Sequence, residues 1–126
     1  MSGSRLLEWR VGSRRFGTPV SGILEILEAR VATRIPGAPS EILGLVNVRG
    51  SIITVIDGRA LFGEAPGGDP GAILVIELQG RAVGMAVSEV LDLQDADQAD
   101  LAGVEVPDLG AQVGPLFAPD RLGRVL

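Results

Sequence analysis

Short segments in which apolar and polar residues alternate predict β-strands along most of the chain. In residues 6–11 the apolar positions alternate with Glu8 and Arg10, which is the period of a strand with one buried face. Residues 16–20 are predicted to return beside it, and Pro19 marks the edge or the end of that strand. Further strands are predicted at 113–117 and from residue 122 onward.

One segment near the N-terminus has a different period. Ser21 can accept the free amides of a first helical turn, and an apolar stripe at helical spacing follows it, made of Ile23, Leu24, Ile26 and Leu27. We therefore predict a two-turn helix after Ser21. Residues 28–35 return to a strand-like composition.

The most patterned stretch runs from residue 34 to residue 57. A Pro-Gly-Ala-Pro connector at 36–39 keeps the backbone out of helical space, and Gly44 is predicted to close a short turn in the left-handed conformation. Two β-rich runs follow, 45–48 and 52–56, joined by Arg49-Gly50, which is a hairpin signal. The second run is apolar on both faces, so we expect it to be covered on both sides.

A glycine- and proline-rich segment separates this hairpin from a similar one. Residues 63–71 hold four glycines and two prolines, a composition typical of a loop or linker. Residues 72–78, the turn 79–80 and residues 81–90 then repeat the order of apolar run, x-Gly and apolar run. This weak internal repeat predicts two similar barrel-like halves.

The composition says more about the function of the protein than about its fold. The chain has no cysteine, histidine, lysine or tyrosine, so disulfides, thiolate or imidazole metal ligands and the commonest general bases are excluded. We therefore expect neither an enzyme nor a cofactor or metal site. The four aspartates in 92–100 lack the glycine and the terminal glutamate of a calcium loop, so a solvated strand end and turn is favoured.

Charge and hydropathy exclude two kinds of partner. The net charge of −5 is unfavourable for binding a phosphate backbone, so nucleic acid is not expected. The longest apolar runs are strand-sized, far below the roughly 20 residues of a membrane helix, and residues 1–5 lack the apolar region of a signal peptide. We expect a cytoplasmic protein without direct membrane insertion.

Two interpretations of the central hairpin stay open on pattern alone. Arg49 lies next to a glycine, with Asn47 two residues earlier on the same face. It is either a solvated turn residue or a recognition residue that a rigid hairpin presents to a partner. Gly44 and Gly50 most simply supply permissive backbone angles, and the alternative for Gly44 is that it allows a partner to approach closely.

The run from Arg34-Ile-Pro-Gly-Ala-Pro through Gly44-Leu-Val-Asn-Val-Arg-Gly-Ser-Ile-Ile-Thr-Val-Ile-Asp57 resembles the signature of the CheW family, the adaptors of bacterial chemotaxis arrays. Weaker similarity extends over nearly the whole chain. The resemblance implies a mainly β fold of two small, five-stranded, SH3-like barrels packed together, with short helices. It also implies that residues 1–126 form a single domain of two barrel halves, with the loop at 63–71 and with strands exchanged between halves.

The resemblance further implies a coupling function without chemistry. Members of this family bridge the cytoplasmic tips of chemoreceptors to the regulatory domain of the histidine kinase CheA, so the protein is expected at membrane receptor arrays through its partners. By position, Gly44 and Arg49 match places associated with receptor coupling, Asn47 and Gly50 complete that motif, and Glu28 matches a glutamate of the same surface. No residue is assigned to the kinase-facing surface.

Several features of the chain depart from the family pattern, so alternative functions are retained. The chain is shorter than usual between Arg30 and Thr33, has Gly58-Arg59 where Leu-Arg is common, and ends at Leu126 before the usual last strand and helix. A short last strand predicts an open barrel edge. The alternatives are a CheW-like scaffold in another motility or regulatory pathway, and a self-associating assembly module.

Overall fold

The computed structural model describes residues 5–68, 70–95 and 103–117. These residues form nine strands: β1 (Arg5–Val11), β2 (Arg14–Pro19), β3 (Ile23–Glu28), β4 (Ile42–Val48), β5 (Ser51–Asp57), β6 (Ala72–Leu78), β7 (Arg81–Val87), β8 (Glu89–Asp95) and β9 (Val104–Glu105). Two short α-helices, α1 (Gly58–Leu61) and α2 (Leu109–Val113), and two 3-10 turns, Val20–Gly22 and Gly114–Phe117, connect or follow them. None of the helices in these ranges is long and apolar enough to cross a membrane.

The strands form two sheets. One has the order β8-β1-β2-β9 and the other the order β3-β6-β7-β5-β4. Neighbouring strands are antiparallel except for the pairs β2–β9 and β5–β7, which are parallel. The chain leaves the first sheet after β2, builds the whole second sheet from five consecutive strands, and returns to the first sheet at β8.

The two sheets pack on one shared core. Trp9 and Phe16 of the first sheet are fully buried, with their rings stacked at a centroid distance of 4.6 Å. The indole Nε1 of Trp9 donates a hydrogen bond of 2.9 Å to Thr18 Oγ1, which satisfies its buried polar group. The second sheet contributes Ile56, Leu74, Ile76, Val83, Met85 and Val87 to the same cluster.

A second, inner core lies within the five-stranded sheet. Its buried side chains come from all five strands: Leu27, Val46, Val48, Ile53, Val55, Ile73, Val75 and Ala86. Successive residues of β6 therefore point alternately to the inner and the shared core, which explains its unbroken apolar run. The predicted fold class, two packed SH3-like barrels of mainly β structure, is confirmed. The described part of the first barrel has four strands where the prediction gave five.

The helix predicted after Ser21 is wrong. Val20–Gly22 makes a single 3-10 turn, and the apolar stripe beyond it forms β3, which pairs antiparallel with β6. The side chains at positions 24, 26 and 28 are exposed, whereas those at 23, 25 and 27 are partly or fully buried, so the period is two. The ladder with β6 overrides the helical spacing, as the β-branched isoleucines also favour.

Two predicted strands are also wrong. β3 ends at Glu28, and within residues 29–35 only Thr33 forms a bridge, to Leu45. Residues 113–117 are helical: Val113 ends α2, whose first turn Asp108 caps by accepting a hydrogen bond of 3.1 Å from the backbone N–H of Ala111, and 114–117 form a 3-10 turn. Val113 and Leu116 are buried in the shared core as a result. The strand predicted from residue 122 and the acidic turn beyond residue 95 lie outside the described residues.

The repeated hairpins do not mark two halves. β4–β5 and β6–β7 are neighbours in the same sheet, and the loop at 63–71 joins β5 to β6 within it. The two halves are instead divided by the passages from β2 to β3 and from β7 to β8. The hairpins look alike because both contribute apolar residues to the same two cores.

Candidate partner-binding surface

The β4–β5 hairpin turns through Arg49 and Gly50, as predicted. Their φ angles of 52° and 86° are the two positive values that a tight two-residue turn requires. The side chain of Asn47 stabilises this turn, because its Oδ1 accepts a hydrogen bond of 2.9 Å from the backbone N–H of Gly50. The motif Asn47-Val-Arg49-Gly50 therefore fixes the backbone from which the Arg49 side chain projects.

The guanidinium of Arg49 is held by a carboxylate on another strand. Its Nη1 and Nη2 donate hydrogen bonds of 2.6 and 2.5 Å to the two oxygens of Glu25 on β3. The Arg49 side chain is still 76% exposed, whereas that of Glu25 is 24% exposed. Arg49 thus presents a positive charge in a set orientation, which is the arrangement that bidentate pairing produces.

The ion pair changes the pKa values of both partners. The hydrogen bonds from Arg49, together with its positive charge and that of Arg30, lower the pKa of Glu25 against the opposing effect of desolvation. The hydrogen bond and charge of Glu25 raise the pKa of Arg49. Both groups are charged at neutral pH.

This pair also joins the two edges of the five-stranded sheet. β3 and β4 stand at opposite ends of the strand order, so a contact between them requires the sheet to curl upon itself. The chain that connects them crosses the end of this barrel, and we call residues 29–34 the strap. Within the strap, Arg30 Nη1 donates to the carbonyl of Asn47 at 3.3 Å, and Thr33 exchanges two backbone hydrogen bonds of 2.8 Å with Leu45.

Gly44 allows the strap to lie directly on β4. It is buried within the strand, at a bulge in the β4–β5 pairing, with a φ of 145°. A Cβ at this position would lie 2.1 Å from the carbonyl oxygen of Thr33. The predicted role as the end of a turn is therefore wrong, and the close approach that Gly44 permits is that of the protein's own strap.

Glu28 lies apart from the other four predicted residues. It ends β3 and is exposed, on the same outward face as Leu24 and Ile26, which are 55% and 48% exposed. Its side chain makes no hydrogen bond or ion pair with the described residues, whereas its sequence neighbour Arg30 contacts Asn47. The structure thus gathers Gly44, Asn47, Arg49 and Gly50 at one hairpin and leaves Glu28 at the end of β3, next to the strap.

Sequence reasoning missed two charged residues and an apolar one at this surface. Glu25 contacts Arg49, and Arg30 contacts the carbonyl of Asn47. Ile52, which pairs with Asn47 across the hairpin, is 62% exposed. A period of two over residues 23–28 was the available signal for Glu25, since it places Glu25 and Leu27 on the inward face. Nothing local in the sequence indicated Arg30.

Comparison with known proteins gives this surface a context. A family model described as "CheW-like domain" matches residues 5–118. The chain is 29% identical over 119 residues to "Chemotaxis protein CheW" of Rhizobium meliloti (strain 1021), which covers 92% of this chain and 75% of the relative. It is 35% identical over 120 residues to "Protein FrzA" of Myxococcus xanthus, covering 93% of this chain and 71% of that protein.

A solved structure agrees with these relatives. The crystal structure of the scaffolding protein TtCheW from Thermoanaerobacter tengcongensis superposes with a TM-score of 0.72 at 26% sequence identity, over 77% of this chain and 68% of that one. The two-sheet topology, the central motif and the match over residues 5–118 therefore agree, and the chain belongs to the CheW-like family.

Proposed function

We propose that this chain is a non-enzymatic adaptor that couples chemoreceptors to a CheA-type histidine kinase in bacterial chemotaxis signalling. The observation that carries the proposal is the family match over residues 5–118, supported by a relative named for chemotaxis and a solved relative described as a scaffolding protein. In this proposal residues 1–126 form one domain that needs no cofactor. The protein is cytoplasmic and associates with the membrane only through its partners.

In this proposal the receptor-facing surface is formed by Glu28, Asn47, Arg49 and Gly50, and the buried Gly44 supports it by allowing the strap to lie on β4. The geometry supports it because Arg49 is exposed yet oriented by Glu25, so little side-chain freedom remains to be lost on binding. Two exposed apolar side chains lie on the strands of this surface. Ile26 is on β3, which also carries Glu25, and Ile52 is on β5, where it pairs with Asn47. A charged, pre-oriented arginine beside apolar area is typical of interface hot spots.

The two partners of the proposal are the cytoplasmic tip of a chemoreceptor and the regulatory domain of the kinase. An adaptor that holds both at once needs only modest affinity for each, because an array repeats the same contacts many times. The experiment is a pull-down in which the chain captures a receptor cytoplasmic fragment and a CheA-type kinase separately. We expect Arg49→Ala to weaken receptor capture by roughly tenfold or more, as for hot-spot arginines.

The second hairpin of the same sheet offers a matched control. Gln79-Gly80 turns β6 into β7 with φ angles of 53° and 80°, nearly those of Arg49-Gly50. Gln79→Ala therefore removes an exposed turn side chain of the same backbone type, and receptor capture should be unchanged. Equal capture by wild type and Arg49→Ala, or an equal loss in both variants, would contradict the proposed receptor face.

A second candidate function is a CheW-like scaffold in another motility or regulatory pathway. The observation that favours it is the identity to FrzA, a family member with a different name, which exceeds that to the R. meliloti protein. Co-purification from the native cell, followed by mass spectrometry, separates the two. Recovery of a chemoreceptor with a CheA-type kinase supports the first, whereas recovery of neither removes it.

A further inference from the structure

A cavity of about 440 Å³ lies between the strap and the end of the five-stranded barrel. Its floor is formed by Val55, Ile73 and Ala86 of the inner core, and the strap residues Arg30, Ala32 and Arg34 line its other side. The floor residues are almost fully buried, so the cavity continues the inner core outward. Its volume is within the range of pockets that hold small molecules.

The cavity exists because small side chains stand where the barrel core ends. Ala86 on β7 and Ala32 on the strap face this space, and neither extends beyond a methyl group. Barrels of this size usually fill their interior with their own side chains. The strap is meanwhile fixed on β4 by the paired hydrogen bonds of Thr33 and Leu45, so it bridges the space rather than collapsing into it.

The charge at the mouth has one sign. Arg30 and Arg34 are the charged residues among those lining the cavity in the described part of the chain. Arg34 makes no hydrogen bond or ion pair with the described residues, and Arg30 donates one hydrogen bond of 3.3 Å to the Asn47 carbonyl. The guanidinium of Arg34 and the second Nη of Arg30 lie beside an apolar floor, which favours a ligand with an anionic head and an apolar body.

We propose that this cavity binds a small apolar carboxylate. The apolar body packs on Val55, Ile73 and Ala86, and the carboxylate accepts hydrogen bonds from Arg30 and Arg34. This site adjoins the proposed receptor face, because Arg30 also contacts Asn47, but it does not depend on the adaptor function. It gives the protein a ligand-binding activity of its own at the end of the barrel.

The test is a titration of the full ¹⁵N-labelled chain with decanoate, followed by amide chemical shifts. We expect saturable shifts confined to the strap, Leu43, Ala86 and their neighbours, with a dissociation constant on the order of 1 mM or tighter for so small a ligand. Decanol, which has the same body without the charge, should bind several-fold more weakly. Decyltrimethylammonium, with the opposite charge, should give no saturable shifts in the strap.

Three variants complete the test. Ala32→Leu fills the cavity from the strap and should abolish the shifts, and Arg34→Gln, a change to an exposed side chain, should weaken decanoate binding about fivefold. Arg5→Gln removes an arginine of β1 and should leave binding unchanged. Decanoate shifts at residues that do not line or adjoin the cavity, equal binding of decanol, or unchanged affinity in both Ala32→Leu and Arg34→Gln would overturn the proposal.

Discussion

At the scale of single residues, the side chain of Arg49 is exposed to solvent but held in one orientation by Glu25. Most exposed ion pairs contribute little to stability, because solvent screens them and the long side chains lose freedom. The pair with Glu25 is therefore better understood as positioning than as stabilising: it sets the direction of a guanidinium on a turn that Asn47 already fixes. A partner then meets a group that needs little further ordering.

The restraint on Arg49 can be measured through the titration of Glu25. Arg49→Ala removes the hydrogen bonds that lower the pKa of Glu25, so this pKa should rise toward the ordinary glutamate value near 4.3. The wild-type pair stabilises the fold above that pH and loses its contribution as the pH falls through the lowered pKa of Glu25. The stability difference between wild type and variant should therefore shrink on acidification.

Carbon-detected NMR of the glutamate carboxyl groups provides the pKa of Glu25 in each protein. Arg5→Ala serves as the control, because Arg5 on β1 does not contribute to the pKa of Glu25. A Glu25 pKa that is the same in wild type and Arg49→Ala would show that the pair does not form in solution.

The sequence predicted the turn at this site but not the partner that holds it. Arg49-Gly50 is a local signal, since a two-residue turn of type I′ needs positive φ at both positions. Glu25 reaches Arg49 only because the sheet curls and brings β3 against β4. A contact between the first and last strands of a barrel has no signature in either strand alone.

At the scale of elements, the strap depends on the absence of one side chain. Thr33 and Leu45 exchange two backbone hydrogen bonds, and Gly44 beside them leaves no room for a Cβ. The bulge at Gly44 thus places the connection between β3 and β4 across the end of the barrel, where both Arg30 and the cavity lie.

We expect Gly44→Ala to destabilise the protein by roughly 2–5 kcal/mol, from backbone strain at a φ of 145° and the clash of Cβ with the Thr33 carbonyl. Urea denaturation gives the free energy of unfolding. Gly22→Ala is the matched control, because nothing lies within 4 Å of its added Cβ, and its cost should be about 0.5 kcal/mol or less. Equal stability of the two variants would show that the strap does not lie on β4.

The elements themselves differed in how far the sequence predicted them. The bounds of β1, β5 and β6 were predicted to within a few residues. β3 was mistaken for a helix because its outer face is apolar as well as its inner face. Exposed Leu24 and Ile26 mimic the stripe of a helix when burial is unknown.

At the scale of the whole molecule, the shared core should make the two sheets unfold together. Trp9 and Phe16 of the first sheet pack in one cluster with Leu74 and Met85 of the second, and all four are fully buried. The side chains that form the shared core are covered only when both sheets are folded. We therefore expect a single cooperative transition, as for most domains of this size.

Leu74→Ala tests this coupling. Removing a fully buried leucine from the shared core should cost about 2–5 kcal/mol, and the loss should appear equally in both sheets. Urea unfolding is followed in parallel by Trp9 fluorescence, which reports on the first sheet, and by far-ultraviolet circular dichroism, which reports on all strands. The two midpoints should fall together to lower urea.

Ile52→Ala is the control for a large-to-small change in the same sheet, since Ile52 is 62% exposed, and its cost should be within about 1 kcal/mol. Separate fluorescence and dichroism midpoints in wild type or in Leu74→Ala would show that the sheets unfold independently, contrary to the shared core.

The insertion of one sheet into the other also has a consequence for the order in which the chain folds. β1 and β2 are synthesised first, yet β1 pairs on its far side with β8, so that Leu6 lies opposite Gln94. The five consecutive strands between them can complete their own barrel earlier. Once folded, that barrel replaces a long flexible loop with a fixed spacer and lowers the entropy cost of bringing β8 to β1. On the ribosome, the N-terminal hairpin must therefore wait for the inserted barrel, which covers it, and for β8, which pairs with β1.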